Sequence, residues 1–190
     1  MGALSLLLDA GKIENTGNFK LSDVSTFKVG GTAQIALCPK DESEMATVLA
    51  ACAEDGIKVE IIGGASNVVF PERFDGAVIF TKNLCEITIE NNFIIAGAGA
   101  PLNAVAVRAR DASLAGFEFV FGIPGSVGGA VFMNAGAYGS EISGVIVSSR
   151  IFDRASGKIF DLPAESHGFS YRRSILQEDK NYICLGAKFK

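Results

Sequence analysis

The chain has 190 residues, 48% of them hydrophobic and 20% charged, and a net charge of −4. That length supports a real core in one or two domains, and the composition is that of a globular protein rather than a disordered one. With no long basic run, nucleic acid and anionic membrane surfaces are not the expected partners.

The N-terminal stretch Ala3-Leu-Ser-Leu-Leu-Leu8 is apolar but short, with no basic residue before it. It reads neither as a signal peptide nor as a membrane span. Residues 1–20 read as a peripheral helix and loop. Ser25 to Ala33 follows, and its Gly30-Gly31 pair predicts a bend where backbone comes close to another surface. Gln34–Cys38 reads as a strand ended by Pro39. Asp41 then starts a helix with Glu44 three residues on, and Met45, Val48, Leu49 and Cys52 form one apolar stripe closed by Gly56.

Val59–Ile62 is the next strand, and it opens into Gly63-Gly-Ala-Ser-Asn67. Strand exits of this kind hold anions in α/β proteins. The loop lacks the G-K-[ST] ending of a P-loop, so γ-phosphate chemistry is disfavoured. Main-chain amides with Ser66 and Asn67 suit a diphosphate that is held rather than cleaved; a plain strand-exit turn is the alternative. Ala77–Phe80 reads as a further strand. Leu84–Glu90 and Phe93–Ala96 form a hairpin about Asn91-Asn92. Gly97-Ala-Gly-Ala-Pro-Leu102 imitates a dinucleotide fingerprint, but Leu102 replaces the third glycine and Pro101 starts a helix, so it reads as a strand-to-helix turn. Leu102, Val105, Ala106 and Ala109 are that helix's buried stripe.

Gly122-Ile-Pro-Gly-Ser-Val-Gly-Gly-Ala-Val-Phe-Met-Asn-Ala-Gly-Ala-Tyr-Gly139 holds six glycines and no charge. Pro124 biases Ile123 toward extended backbone. From Ser126 a short helix is expected, its free amides pointing into the turn as an anion cradle. A tight buried crossing is the competing reading. Strands follow at Val145–Phe152, Lys158–Leu162 and Tyr182–Phe189, with a short helix from Pro163. Between them Gly168-Phe-Ser-Tyr-Arg-Arg-Ser174 gathers two arginines beside a tyrosine; a solvated surface pair is the alternative for Arg172 and Arg173.

Cys38, Cys52, Cys85 and Cys184 form no C-x-x-C pair and read as buried, reduced thiols. His167 is the sole histidine, so neither a metal cluster nor a Ser–His–Asp triad is expected, and no metal is assigned.

Thr26-Phe-Lys-Val-Gly-Gly31, Gly63–Asn67, Gly122–Gly139 and Tyr171-Arg172-Arg-Ser174, in that order, resemble the UDP-N-acetylenolpyruvoylglucosamine reductase family (UDP-N-acetylmuramate dehydrogenase, MurB) over roughly residues 20–190. The resemblance implies an α+β, two-subdomain FAD-binding fold of the vanillyl-alcohol-oxidase (PCMH) type, with mixed sheets and flanking helices. The expected subdomains are 1–82 and 83–190, with the family's third, substrate domain missing from this chain. It implies noncovalent FAD, NADPH as donor, a UDP-sugar enolpyruvyl ether as substrate, and a cytoplasmic role in peptidoglycan synthesis. Gly63, Gly64, Ala65, Ser66, Asn67, Val68 and Val69 match the family's diphosphate loop, with Ala65 in place of the usual third glycine. Gly122, Ile123, Pro124, Gly125, Ser126, Gly129, Asn134, Ala135, Gly136, Ala137 and Tyr138 would line the other side of the cofactor. Arg172 matches the family's active-site arginine. The family's general-acid serine and its later glutamate have no counterpart here, so a non-catalytic FAD or nucleotide-binding module is the alternative. A covalent-flavin oxidase of the wider superfamily would carry His or Cys near the loop, and residues 63–70 contain neither.

Overall fold

The computed structural model describes residues 2–11 and 13–190, which divide into two compact units, Met1–Asn83 and Leu84–Lys190.

The first unit begins with α1 (Ala3–Asp9) and β1 (Glu14–Lys20), then β2 (Thr32–Cys38), α2 (Glu42–Glu54), β3 (Val59–Ile62) and β4 (Arg73–Phe80). The sheet order is β1-β2-β4-β3; β1 is antiparallel to β2, while β2 and β3 both run parallel to β4. Strand β1 was expected to be loop. Its sequence, Glu-Asn-Thr-Gly-Asn-Phe-Lys, is mostly exposed and carries Asn18 at φ 48°, so it has neither the alternation nor the propensity that marks a strand. It forms because it completes the edge beside β2.

The capping pair of α2 is as the sequence predicts: Glu44 N donates to Asp41 Oδ1 at 2.8 Å. Met45, Val48, Leu49 and Cys52 are all buried. Asp55, just past the helix, receives the amides of Ala3 and Leu4 at 2.8 and 2.9 Å and so caps α1 from another element. The bend at Gly30-Gly31 is a close approach in fact. A Cβ on Gly31 would fall on the Glu72 carbonyl, and Gly31 N donates to Pro71 O. Leu21, Ala36, Ile62, Ala65, Phe70, Val78 and Phe80 close one face of the sheet as a buried cluster.

The second unit runs β5 (Ile87–Glu90), β6 (Phe93–Gly97), α3 (Leu102–Asp111), α4 (Val127–Phe132), the two-residue strands β7 (Gly136–Ala137) and β8 (Ser140–Glu141), β9 (Ile146–Asp153), β10 (Lys158–Pro163), α5 (Ile175–Glu178) and β11 (Tyr182–Phe189). Its main sheet is antiparallel throughout, in the order β10-β9-β11-β6-β5. Leu102, Val105 and Ala109 of α3 join Val127, Ala130 and Val131 of α4 and Ile151 and Phe189 of the sheet in one core. Pro101 takes the cap position, one residue earlier than expected. The β7–β8 hairpin and α5 were not foreseen; both are too short to leave a period in the sequence.

The turn between β6 and α3 is structural, as read. Gly97, Ala98 and Gly99 donate their amides to Glu86, Leu185 and Leu84 carbonyls. No helix among the described residues is long and apolar enough to cross a membrane.

Candidate cofactor and anion site

In the first unit, β3 ends beside β4 because the two pair in parallel register, Ile62 opposite Phe80. Their exits therefore meet at the C-terminal end of the strands, where open α/β sheets place ligands. Gly63, Gly64 and Ala65 line a pocket of about 210 Å³ there, with Glu14, Phe19, Cys38, Phe80 and Lys82 among its walls. The loop is held through a carbonyl: Thr26 N donates to Ala65 O at 3.2 Å. Ala65 has φ 49°, a left-handed conformation that glycine adopts more easily, and its methyl is buried in the cluster with Leu21 and Phe70. The extra Cβ is thus accommodated by packing. Asn67 and Val69 are exposed, and Ser66 and Val68 are half-buried.

The loop itself contains no lysine. The pocket has one nevertheless. Lys82 Nζ sits 2.8 Å from Glu14 Oε1, and that bond raises the lysine's pKa and lowers the carboxylate's. Burial pushes the Cys38 thiol up. Lys82 was missed because it lies nineteen positions from Gly63 and reaches the loop only through strand pairing; the signal was the second strand ending in a cation.

In the second unit, Gly122–Tyr138 splits into parts with different roles. Gly125, at φ 143°, makes a turn that a side chain resists, and its carbonyl accepts from Leu102 N. The expectation of free amides at the start of α4 is corrected for two of them. Val127 N donates to Ala100 O at 2.9 Å and Gly128 N to Ala98 O at 2.8 Å. A Cβ on Gly128 would press on Ala98 Cβ at 2.9 Å, so this glycine serves the buried crossing. Gly122 and Gly129 are exposed, and a Cβ on Gly122 would meet nothing within 4 Å. Pro124 is exposed, Ile123 half-buried.

Ser126 carries the informative atom. It is 3% exposed, it heads α4 without making a cap bond, and its Oγ has no hydrogen-bond partner. Such an orphan calls for an explanation, and an external acceptor or donor is one. The orphan beside the open face of Gly129 fits a polar cofactor held without charged side chains.

Past α4 the chain enters a second arrangement. Asn134, fully buried at φ 42°, donates from Nδ2 to Glu141 Oε2 (2.9 Å) and Ser170 O (3.0 Å), and accepts from Ser143 N at 3.0 Å. Its own amide goes to Val131 O. Ala135, Gly136 and Ala137 are half-buried, while Tyr138 is 92% exposed. Arg172 reaches into this region. Its Nη2 donates to Gly136 O at 2.8 Å and its Nη1 to Asn134 O at 3.4 Å, with the guanidinium 5.2 Å from the Tyr171 ring centre. Gly136, Tyr138, Glu141, Val145, Tyr171 and Arg172 line a cleft of about 760 Å³. The structure thus joins Arg172 to the 134–138 segment, two stretches 34 or more residues apart. Arg173 instead pairs with Glu178 at the surface. Glu141 and Gln177, which bond into this region, gave no signal of their own in the sequence.

The sole histidine is not part of either site. His167 Nδ1 is 2.9 Å from Pro163 O, and Ser149 Oγ is 2.7 Å from its Nε2. Both side chains are fully buried, and a carbonyl stands where a triad would need an acid.

The profile of the FAD binding domain family matches residues 33–163. Over 171 residues the chain is 42% identical to the UDP-N-acetylenolpyruvoylglucosamine reductase of Caldicellulosiruptor saccharolyticus, covering 90% of this chain and 54% of that protein. It is 41% identical to the Clostridium novyi enzyme over 98% of its own length and 60% of the relative's. The chain therefore spans little more than half the length of these relatives. The crystal structure of the Thermus caldophilus reductase superposes with a TM-score of 0.76 at 28% identity, over 94% of this chain and 62% of that one. Glucooligosaccharide oxidase from Acremonium strictum shares the fold alone, with a TM-score of 0.69 at 12% identity, over all of this chain and 42% of that one. With its two α+β units, the chain belongs to the FAD-binding domain family and corresponds to the FAD-binding portion of the UDP-N-acetylenolpyruvoylglucosamine reductases.

Proposed function

We propose that this chain binds FAD noncovalently and takes part in the NADPH-dependent reduction of a UDP-sugar enolpyruvyl ether to UDP-N-acetylmuramate, a cytoplasmic step of peptidoglycan synthesis. The observation that carries the reading is Arg172, a cation fixed by two main-chain carbonyls at the edge of an open cleft.

In the first unit, residues 63–69 suit a diphosphate; in the second, Gly122–Ser126 with Gly129 and Ala135–Tyr138 offer an uncharged surface suited to a cofactor. FAD, when bound, supplies the hydride that NADPH delivers to it. The chain's own contribution is binding, orientation and charge. Arg172 keeps donors beyond the two bonds to Asn134 O and Gly136 O, since a guanidinium carries five N–H groups in a fixed fork. Arg172 lines the cleft, so those donors would be available to a ligand bound there. Hydride addition to an enolpyruvyl alkene builds enolate-like charge on the carboxylate side, and a guanidinium already in place stabilises that charge as it forms. The Tyr171 ring centre lies 5.2 Å from the guanidinium carbon, within cation–π range.

A second reading is an FAD-binding module with no turnover of its own. One experiment separates the two. The protein is loaded with FAD, reduced anaerobically with NADPH, and mixed with the enolpyruvyl UDP-sugar. Reoxidation of the flavin that requires the substrate supports the reductase; stable reduced flavin supports the module.

A further inference from the structure

Arg172 stands at φ 56°, and so do Asn134 (42°) and Tyr138 (53°) on the segment it touches. Three non-glycine residues in left-handed backbone, two of them lining the cleft and Asn134 buried behind it, mark a place whose geometry the surroundings must enforce. The local unit is a tight turn. Arg173 N donates to Ser170 O and Ser170 N to Arg173 O, with Tyr171 and Arg172 at the corner. Tyr171 is not left-handed and Arg172 is, which is the type II pattern, whose third position ordinarily goes to glycine or asparagine. Arginine there is unfavourable unless something holds it.

Two side chains do so, from opposite ends of the turn. Asn134 Nδ2 donates to Ser170 O, the first carbonyl of the turn, at 3.0 Å. Gln177 Nε2 donates to Arg172 O at 3.0 Å and to Phe132 O at 2.9 Å. Ser174 Oγ donates to the same Phe132 O at 2.8 Å. Phe132 is the last residue of α4, and Asn134 lies two beyond it. The turn is thus docked onto the C-terminal end of α4, while the other end of that helix carries Ser126.

We propose that Asn134 and Gln177 are a positioning pair for Arg172, clamping its left-handed turn to the end of α4 so that the guanidinium is presented to the cleft; this rests on the reading of Arg172 as the substrate-facing cation. It assigns Asn134 to the arginine rather than to the cofactor, since its side chain and both its backbone groups are bonded within the unit.

The test follows the guanidinium directly. In ¹⁵N-labelled full chain at low temperature, the Arg172 side-chain resonance is identified by its loss in Arg172→Lys, and the exchange of its Nη protons with water is measured. Wild type is expected to show slow exchange. Asn134→Asp sets carboxylate oxygen against Glu141 Oε2 and Ser170 O, and Gln177→Ala removes the other grip. Each is expected to speed exchange at least tenfold. The thermal midpoint and FAD affinity of Gln177→Ala should stay near wild type, which a merely structural loss would not allow. Asn134→Asp with Glu141→Gln is expected to recover part of the protection, because the new amide donates to the new carboxylate. Fast exchange in wild type, or slow exchange surviving both single substitutions, overturns the proposal. Should Asn134→Asp fail to fold, Gln177→Ala decides alone. Exchange is independent of turnover, so a clamp that behaves as stated in a protein that never reduces the enolpyruvyl substrate refutes the functional reading and leaves the clamp standing.

Discussion

Arg172 Nη2 donates to the carbonyl of Gly136 at 2.8 Å, so a cation from the 170–173 turn is fixed to the glycine-rich segment by main chain rather than by a carboxylate. A carboxylate partner would neutralise the guanidinium; a carbonyl leaves its charge available. Arg172→Lys keeps the charge but loses the planar fork that reaches both carbonyls and a ligand together. In the complete enzyme, kcat should fall about 10²–10³-fold, the scale for losing a donor aimed at developing charge. FAD affinity should be unchanged. Stopped-flow reoxidation of the reduced flavin by substrate gives the first quantity and fluorescence titration the second.

Gly129 offers a cleaner probe of cofactor contact than Gly125. At Gly125 the φ of 143° makes valine fail for backbone reasons alone, whatever binds there. At Gly129 a Cβ would meet nothing nearer than Ser126 Oγ at 3.7 Å. Alanine is the better helix former by about 1 kcal/mol. Gly129→Ala should therefore leave the thermal midpoint of the apoprotein unchanged or raised. Its FAD affinity should drop about tenfold, or about 1.4 kcal/mol, if the cofactor lies against this face. Calorimetric titration beside a melting curve checks both.

His167 gives the stability a pH dependence with a definite sign. Burial lowers its pKa from 6.5, outweighing the bond to Pro163 O that raises it. The native state therefore favours neutral imidazole, with Ser149 Oγ–H donating to Nε2. This stability is complete above pH 6.5 and is lost as pH falls from there toward the lowered native value, because the unfolded chain takes the proton first. Denaturant midpoints from pH 7.5 to 5 should decline, and His167→Gln should flatten that part of the profile.

The cysteines separate by access. Cys38, Cys52 and Cys184 are buried, and burial pushes the Cys184 thiol to about 12. Cys85, also expected to be buried, is exposed instead. It lies between Leu84 and the start of β5, on a stretch whose alternation puts it outward. A thiol reagent at pH 8 should modify one cysteine rapidly in the native protein, and Cys85→Ser should abolish that phase; mass spectrometry after brief labelling identifies it.

Much of the fold was legible because local signals agreed with it. Asp41 and Glu44 capped a helix, Asn91-Asn92 turned a hairpin, and Tyr182–Phe189 stood as a full strand. Strand β1 was not legible, since its polar residues gain their order only from pairing with β2. The site was legible as separate stretches, and the glycines of Gly122–Gly139 could not be sorted in advance. Whether Gly128 faces a ligand or Ala98 depends on a loop 30 residues away. Lys82, Glu141 and Gln177 went unnoticed for the same reason: each acts through a partner that only the folded chain brings near.

The central claim is that this chain holds FAD, and titration of the purified full chain with FAD tests it most directly. The account predicts a yellow one-to-one complex whose thermal midpoint climbs with FAD concentration, as binding to the native state alone requires. A colourless protein whose midpoint stays fixed in a large excess of FAD would contradict it.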